Sequence, residues 1–366
     1  MWLISSIALV PIILYWVLVF LFCKGWRQLS SGPVQGIGAK PFISVVIAFR
    51  NEMQNLPKLL DSLKHQTIDA SAFEIILVND HSTDQWESTI NAIMPLNARI
   101  LHSPDEGKKA VLRWGVQHAK GEVIAMTDAD CIIPQRWIEI LLKQFENKQH
   151  TVAIGAVRLT SDDSFFQYFQ QLDFLSLQVS AMGSVGLNHP MLCNGANLAC
   201  RKDFYNSIKS LNDNYLSGDD VFLLHEAKRR GVTISMVNDT DAVVETQPVG
   251  TLKALLNQRI RWASKSKGYT DFDTLAVAWI VFLANAGLVT LFAAGWWSLT
   301  GFMIWLIVFL IKATIDKLLF DTGFQFFAIQ HRPFYYILAQ LIHPFYTVAI
   351  VFAAAFTNGS WKGRRQ

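Results

Sequence analysis

Apolar positions fall into three regimes along this chain. Residues 1–23, MWLISSIALVPIILYWVLVFLFC, carry no charge and are long enough to cross a bilayer core, which takes about 20 residues. They lack the basic start and small-residue cleavage site of a removable leader, so they read as an anchor. Residues 274–296, 299–320 and 333–356 are apolar again, the second broken late by Lys312, Asp316 and Lys317. The long stretch between these regions mixes polar and apolar positions. Within it, 44–49 is a short β-branched apolar run that predicts a buried strand, and 73–78, 98–101 and 122–126 read as three more strands. Each is followed by helical spacing: Leu56, Leu59, Leu60 and Leu63; Trp86, Ile90 and Ile93; Val111, Leu112, Val116 and Ala119; and residues 134–145. Gly32, Pro33, Gly36, Gly38 and Pro41 mark a linker.

Four strand–helix units in succession imply an α/β fold, a mostly parallel sheet with both faces covered. The predicted organisation is a transmembrane anchor at 1–23, a linker at 24–41, a cytoplasmic α/β domain at 42–270, a transmembrane region of about three apolar segments at 274–356 and a basic tail at 357–366. Lys24 and Arg27 after the first apolar run, and Arg259, Arg261, Lys265 and Lys267 before the second, place the domain in the cytoplasm by the positive-inside tendency. Three further crossings would leave Lys362, Arg364 and Arg365 outside, against that tendency.

Composition narrows the class. Of 366 residues, 51% are hydrophobic and 17% charged, against roughly 25% charged in soluble domains. This excludes a disordered chain, and four cysteines exclude a disulfide scaffold. Cys23, Cys131, Cys193 and Cys200 have no zinc-ribbon spacing and read as reduced packing residues. A net charge of +3 implies no nucleic-acid partner. No G-x-G-x-x-G follows the first strand and no P-loop occurs, which argues against a dinucleotide or P-loop fold.

In parallel sheets ligands sit outside the carboxyl ends of the strands, and there the acidic residues collect. Asp128-Ala129-Asp130 follows the fourth strand. Two carboxylates with open positions suit Mg²⁺ or Mn²⁺ shared with substrate phosphates, although one could instead cap the next helix. Residues 79–84 follow the second strand; Asp80 is placed to accept from a base or ribose, or the segment is an Asx-rich turn. Ser217-Gly218-Asp219-Asp220 opens a helix and supplies either a general base or a cap. Gln258-Arg259-Ile260-Arg261-Trp262 precedes the membrane region. Its Arg could meet a diphosphate and its Trp an acceptor, or the stretch is a basic interfacial anchor. Phe165, Phe166, Tyr168, Phe169, Phe174 and nearby leucines form an aromatic helix, either ordinary core or an interfacial helix on the bilayer. The charges at 312, 316 and 317 are either functional within the membrane or a neutralised pair at its edge.

Taken in order, these clusters resemble the membrane-bound family 2 glycosyltransferases, whose fold is GT-A, over residues 42–265. Ala48-Phe49-Arg50-Asn51-Glu52 is similar to the family's nucleotide-contacting N-E turn, Gly107-Lys108-Lys109 to its G-K element, and Asn194-Gly195-Ala196-Asn197 to its acceptor-side segment. The tail Trp361-Lys362-Gly363-Arg364 is similar to that of non-processive members. The chain departs from the family in having Asn79-Asp80-His81-Ser82 where D-D-G-S is usual, and Asp219-Asp220 where Glu-Asp is usual. The resemblance implies an inverting transfer from a nucleotide-diphosphate sugar, a UDP-sugar. Asp220 would be the general base, with Asp219 as the alternative. Arg261, Gln258 and Trp262 would complete the catalytic set. Asp80, Glu52, Asp128 and Lys109 would serve the nucleotide, and Asp130 with Asp128 would hold Mg²⁺ or Mn²⁺. The expected acceptor is a membrane lipid and the expected location the cell (inner) membrane. The alternatives are a processive polysaccharide synthase with a growing chain as acceptor, and an inactive membrane scaffold or nucleotide-sugar sensor.

Overall fold

The computed structural model describes residues 2–29, 40–212, 215, 218–357, 360–361 and 364–365. Most of the expected linker, Ser217, and Lys362 and Gly363 of the tail lie outside the described residues. In chain order the first elements are α1 (Trp2–Gln28), β1 (Ile43–Phe49), α2 (Leu56–Lys64), β2 (Phe73–Asn79), α3 (Trp86–Asn91), β3 (Ala98–His102), α4 (Lys108–His118), β4 (Val123–Met126) and α5 (Trp137–Glu146). There follow β5 (His150–Gly155), β6 (Val157–Leu159), α6 (Phe165–Gly186), β7 (Leu198–Arg201), α7 (Lys202–Ser207), α8 (Asp219–Arg229), β8 (Thr233–Val237) and β9 (Val244–Thr246). The chain ends with α9 (Leu252–Ser264), α10 (Phe272–Gly295), α11 (Leu299–Phe324), α12 (Pro333–Phe356) and the short strands β10 (Ser360–Trp361) and β11 (Arg364–Arg365).

The described chain forms two compact units. One, the sheet unit, comprises Leu29–Thr160 and Leu192–Gln247. Its seven strands run in the order β3-β2-β1-β4-β7-β5-β8. The first four are parallel, as the strand–helix alternation predicts. Ile43, Val45, Val46 and Ile47 of β1 and Ile75 to Val78 of β2 are fully buried, as a sheet covered on both faces requires. The leucines of α2 at 56, 59, 60 and 63 are buried at helical spacing. β7 enters antiparallel between β4 and β5, and β6 with β9 makes a second, two-stranded sheet. Parallel register places Phe49, Asn79 and His102 level at one edge.

The other, the helical unit, comprises Met1–Gln28, Ser161–Met191 and Pro248–Gln366. α6 and α9, which fall within 42–270, pack with the apolar helices of this unit. α6 carries buried residues over most of its length, and its Gly183 and Gly186 lie against the backbone of α1 at Phe22 and Gly25. Among the described residues, three helices are long and apolar enough to cross a membrane, at Leu9–Gln28, Phe272–Gly295 and Pro333–Phe356. α11 carries a buried polar group: Lys312 Nζ donates to Asp316 Oδ2 at 2.5 Å, and Tyr15 OH of α1 donates to Asp316 Oδ1 at 2.6 Å. The pairing neutralises two charges that would be costly in an apolar surround.

Candidate active site

The carboxyl edge of the sheet is built first by the turns after β1 and β2. Asn51 and His81 both adopt left-handed backbone, each with φ +54°. The two turns are laced together: Asn51 N–H donates to Ser82 Oγ (3.0 Å), Thr83 N–H to Asn51 Oδ1 (2.7 Å) and Met53 N–H to Asp84 Oδ2 (2.8 Å). Glu52 accepts from Asn55 Nδ2 at 2.6 Å. Asp80 is buried, and its Oδ1 accepts from the N–H of Gly107 at 3.1 Å. Gly107 has φ +97°, a conformation that a side chain would strain, and it starts α4 at this point. Burial pushes the Asp80 carboxyl up, against the Gly107 N–H, Arg50 and His81, which act in the opposite direction.

The end of β4, the start of α4 and the start of α8 meet here. Lys108, the first residue of α4, donates to Asp128 Oδ1 at 2.6 Å and lies 3.8 Å from Asp219 Oδ2. Burial opposes its charge, but Asp128 and Asp219 outweigh that and hold the ammonium well above the usual lysine range. Asp220 Oδ2 accepts from Gly195 N–H at 3.1 Å. Gly218, at φ +96°, turns the chain into α8 and sets this carboxylate in place. Burial, Asp128 and Glu52 together push Asp130 up to about 6. The segment behind Gly195 is held by Asn197, which accepts from Trp137 Nε1 and donates to the carbonyls of Ala156 and Ala242.

The structure therefore brings Asp128, Asp219 and Asp220 around Lys108 and Gly195, with Asp130 near enough to Asp128 and Glu52 for their charges to oppose its own. Asp80 joins them through Gly107. Lys109 is directed elsewhere. Its Nζ donates to the carbonyls of Leu211 and Asn212 at 2.8 and 2.7 Å and lies 4.8 Å over the Phe222 ring. The lysine at the carboxylates is Lys108, its neighbour in the Gly107-Lys108-Lys109 segment. A helical wheel holds the signal, because Lys109 precedes Leu112 by three and Val116 by seven residues and so shares their buried face.

Gln258, Arg261 and Trp262 lie on α9, in the helical unit. Within that unit Arg259 contacts Gln258 and Trp262. Its Nε donates to Asp173 Oδ2 at 2.6 Å, its Nη1 donates to Gln258 Oε1 at 2.5 Å, and its guanidinium lies 4.2 Å over the Trp262 ring.

Residues 44–207 match the family described as Glycosyl transferase family 2. The chain carries a glycosyl transferase family 2 domain. This chain is 24% identical over 266 residues to "Glycosyltransferase AglE" of Haloferax volcanii, covering 72% of this chain and 82% of that protein. It is 34% identical over 138 residues to the "Undecaprenyl-phosphate 4-deoxy-4-formamido-L-arabinose transferase" of Pseudomonas fluorescens, covering 34% of this chain and 38% of that protein. In fold it is similar to the mannosyltransferase PcManGT from Pyrobaculum calidifontis, solved in complex with GDP-Man and Mn²⁺, with a TM-score of 0.58 and 18% identity over 97% of this chain and 98% of that one.

The donor set at this edge of the sheet fits a divalent cation of the kind that keeps water and substrate ligands. No group of three or more His, Cys, Asp or Glu residues is arranged as a metal cage among the described residues. Asp128 and Asp130 instead offer two carboxylates, and the raised Asp130 reports negative charge that a hard cation would relieve.

Proposed function

We propose that this glycosyltransferase moves a sugar from a nucleotide-diphosphate sugar, a UDP-sugar, to the hydroxyl or phosphate of a membrane lipid, with inversion at the anomeric carbon. The observation that carries the reading is the convergence of Asp128, Asp219 and Asp220 at Lys108 on the carboxyl edge of the parallel sheet. Glu52 and Asp80, on the laced turns after β1 and β2, are our candidates for holding the nucleoside. Asp130 and Asp128 would hold Mg²⁺ or Mn²⁺, which when bound supplies positive charge to the diphosphate leaving group. The mannosyltransferase of similar fold, solved with GDP-Man and Mn²⁺, supports a divalent cation.

Asp220 is assigned the general base. Its Oδ2 accepts from Gly195 N–H and its Oδ1 from Val221 N–H, which orients the carboxylate so that a remaining lone pair can take the acceptor's proton as the acceptor oxygen attacks. For an acceptor already ionised, the same carboxylate would only position it. Arg261 is assigned to the diphosphate, where a guanidinium offers paired donors, and Gln258 and Trp262 to the acceptor. Three apolar helices, and a relative named for undecaprenyl-phosphate, support a lipid acceptor.

We also place the sheet unit in the cytoplasm. The apolar stretch of α11 before Lys312 has 13 residues, 299–311, or about 20 Å of helix, short of a bilayer core of about 30 Å. With crossings at α1, α10 and α12 alone, the basic tail returns to the side of the sheet unit, which removes the conflict with the positive-inside tendency.

The test uses membranes carrying the protein, Mg²⁺ or Mn²⁺, a panel of radiolabelled UDP-sugars and partition of products between organic solvent and water. The expected result is one discrete organic-soluble species, reduced by roughly 10²–10⁴-fold in Asp220→Asn while nucleotide binding persists. Label in a long aqueous or insoluble product would replace the lipid reading with polymer synthesis. Normal turnover by Asp220→Asn would overturn the base assignment.

A further inference from the structure

Lys108 stands where a cation is needed. Its Nζ is 2.6 Å from Asp128 Oδ1 and 3.8 Å from Asp219 Oδ2, and a Cβ built on Gly195 would lie 3.5 Å from it. It thus links the carboxylate after β4 to the one that opens α8. The root of its side chain is fixed, because α4 begins at Gly107, whose N–H is held by Asp80. Its ammonium ends a flexible four-carbon stem, and the side chain as a whole is partly exposed. Lys109 cannot take over, being held by two carbonyls on the other side of the helix.

We infer that Lys108 is a built-in competitor of the divalent cation, neutralising Asp128 and Asp219 until the metal arrives and surrendering Asp128 when it does. This rests on the reading of Asp128 and Asp130 as metal ligands. The physical basis is charge. A unit positive charge at hydrogen-bond distance from one ligand repels a second cation, and a hard divalent ion prefers the same carboxylate oxygen. The metal-lean protein then keeps its acidic edge folded without a metal, and metal affinity is held down until anionic substrate adds its own oxygens.

The test is Mn²⁺ binding by full-length, detergent-solubilised protein without nucleotide, followed by the electron paramagnetic resonance of unbound Mn²⁺. Lys108→Met should bind Mn²⁺ at least about tenfold more tightly than the parent, and Lys108→Arg, which retains the charge, should stay within about threefold. Equal or weaker binding by Lys108→Met, with the parent binding normally, overturns the competitor role and leaves the metal reading intact. If neither protein binds Mn²⁺, both readings fall together. A measurement on the parent alone avoids any folding defect. Acetylation of Lys108 by an N-hydroxysuccinimide ester, read by peptide mass spectrometry, should rise several-fold on adding Mn²⁺. Unchanged or reduced labelling overturns the proposal.

Discussion

Asp173 on α6 is held between Arg259, 2.6 Å away, and His343 of α12, 3.8 Å away. Burial alone would raise its pKa, yet Arg259 and His343 together bring it down to about 2. An unfolded aspartate titrates near 3.9. The depressed carboxyl therefore stabilises the fold above about pH 4, and that contribution is lost as pH falls through about 2. Nearly two pKa units correspond to at most about 2.5 kcal/mol. Unfolding of the solubilised protein between pH 5 and 2 should show this loss, and Asp173→Asn should be less stable at pH 5 with a flatter acid limb. Single residues were also the hardest feature to read ahead of the structure. The acidic positions were legible because strand ends in a parallel sheet have a known use. The identity of the charged lysine was not, since two adjacent lysines differ only in helical phase. His81 shows a similar limit. It fills the left-handed position where the family's D-D-G-S has glycine, and nothing in a histidine announces φ +54°.

At the scale of elements, α1 and α6 meet through glycine. A Cβ on Gly186 would lie 1.9 Å from the carbonyl oxygen of Gly25, and one on Gly183 2.4 Å from that of Phe22. Backbone stands on both sides, so no rotamer change can relieve the clash, and small residues permit the close approach that apolar helices need to attract one another. Gly186→Leu should therefore destabilise the solubilised protein by about 1–3 kcal/mol, read as a lower melting temperature. Gly250→Ala, which meets open space, should change it by less than about 0.5 kcal/mol. The four strand–helix pairs were legible because strands such as β1 and β2 are buried apolar runs and helices such as α2 have an apolar stripe. The rest of the sheet unit was not. β6 and β9 have three residues each, too few to show a period of two, and β7 reverses direction in a way that only tertiary pairing reveals.

For the whole molecule, the helical unit is assembled from three separated stretches of chain. A fragment of residues 42–270 would carry α6 and α9 without α1, α10, α11 and α12. It should remain insoluble or aggregate on size-exclusion chromatography, although composition alone marks it as an ordinary soluble domain. Sidedness is the second expectation at this scale. A single cysteine placed in the tail at 366, in a background with Cys23, Cys131, Cys193 and Cys200 replaced, should resist membrane-impermeant maleimide in intact cells and react after permeabilisation. Labelling in intact cells would require a fourth crossing, through α11.

The separation of those stretches has a consequence in time. α1 leaves the ribosome before the 132 residues of Leu29–Thr160, and only then is α6 made. At about 5–20 residues per second the delay is on the order of ten seconds. Throughout it the face of α1 at Gly25 is shaped for a backbone not yet synthesised, and any other helix in the bilayer with a small-residue face is a rival for it. Assembly of the enzyme is therefore a race that α1 must survive unpaired.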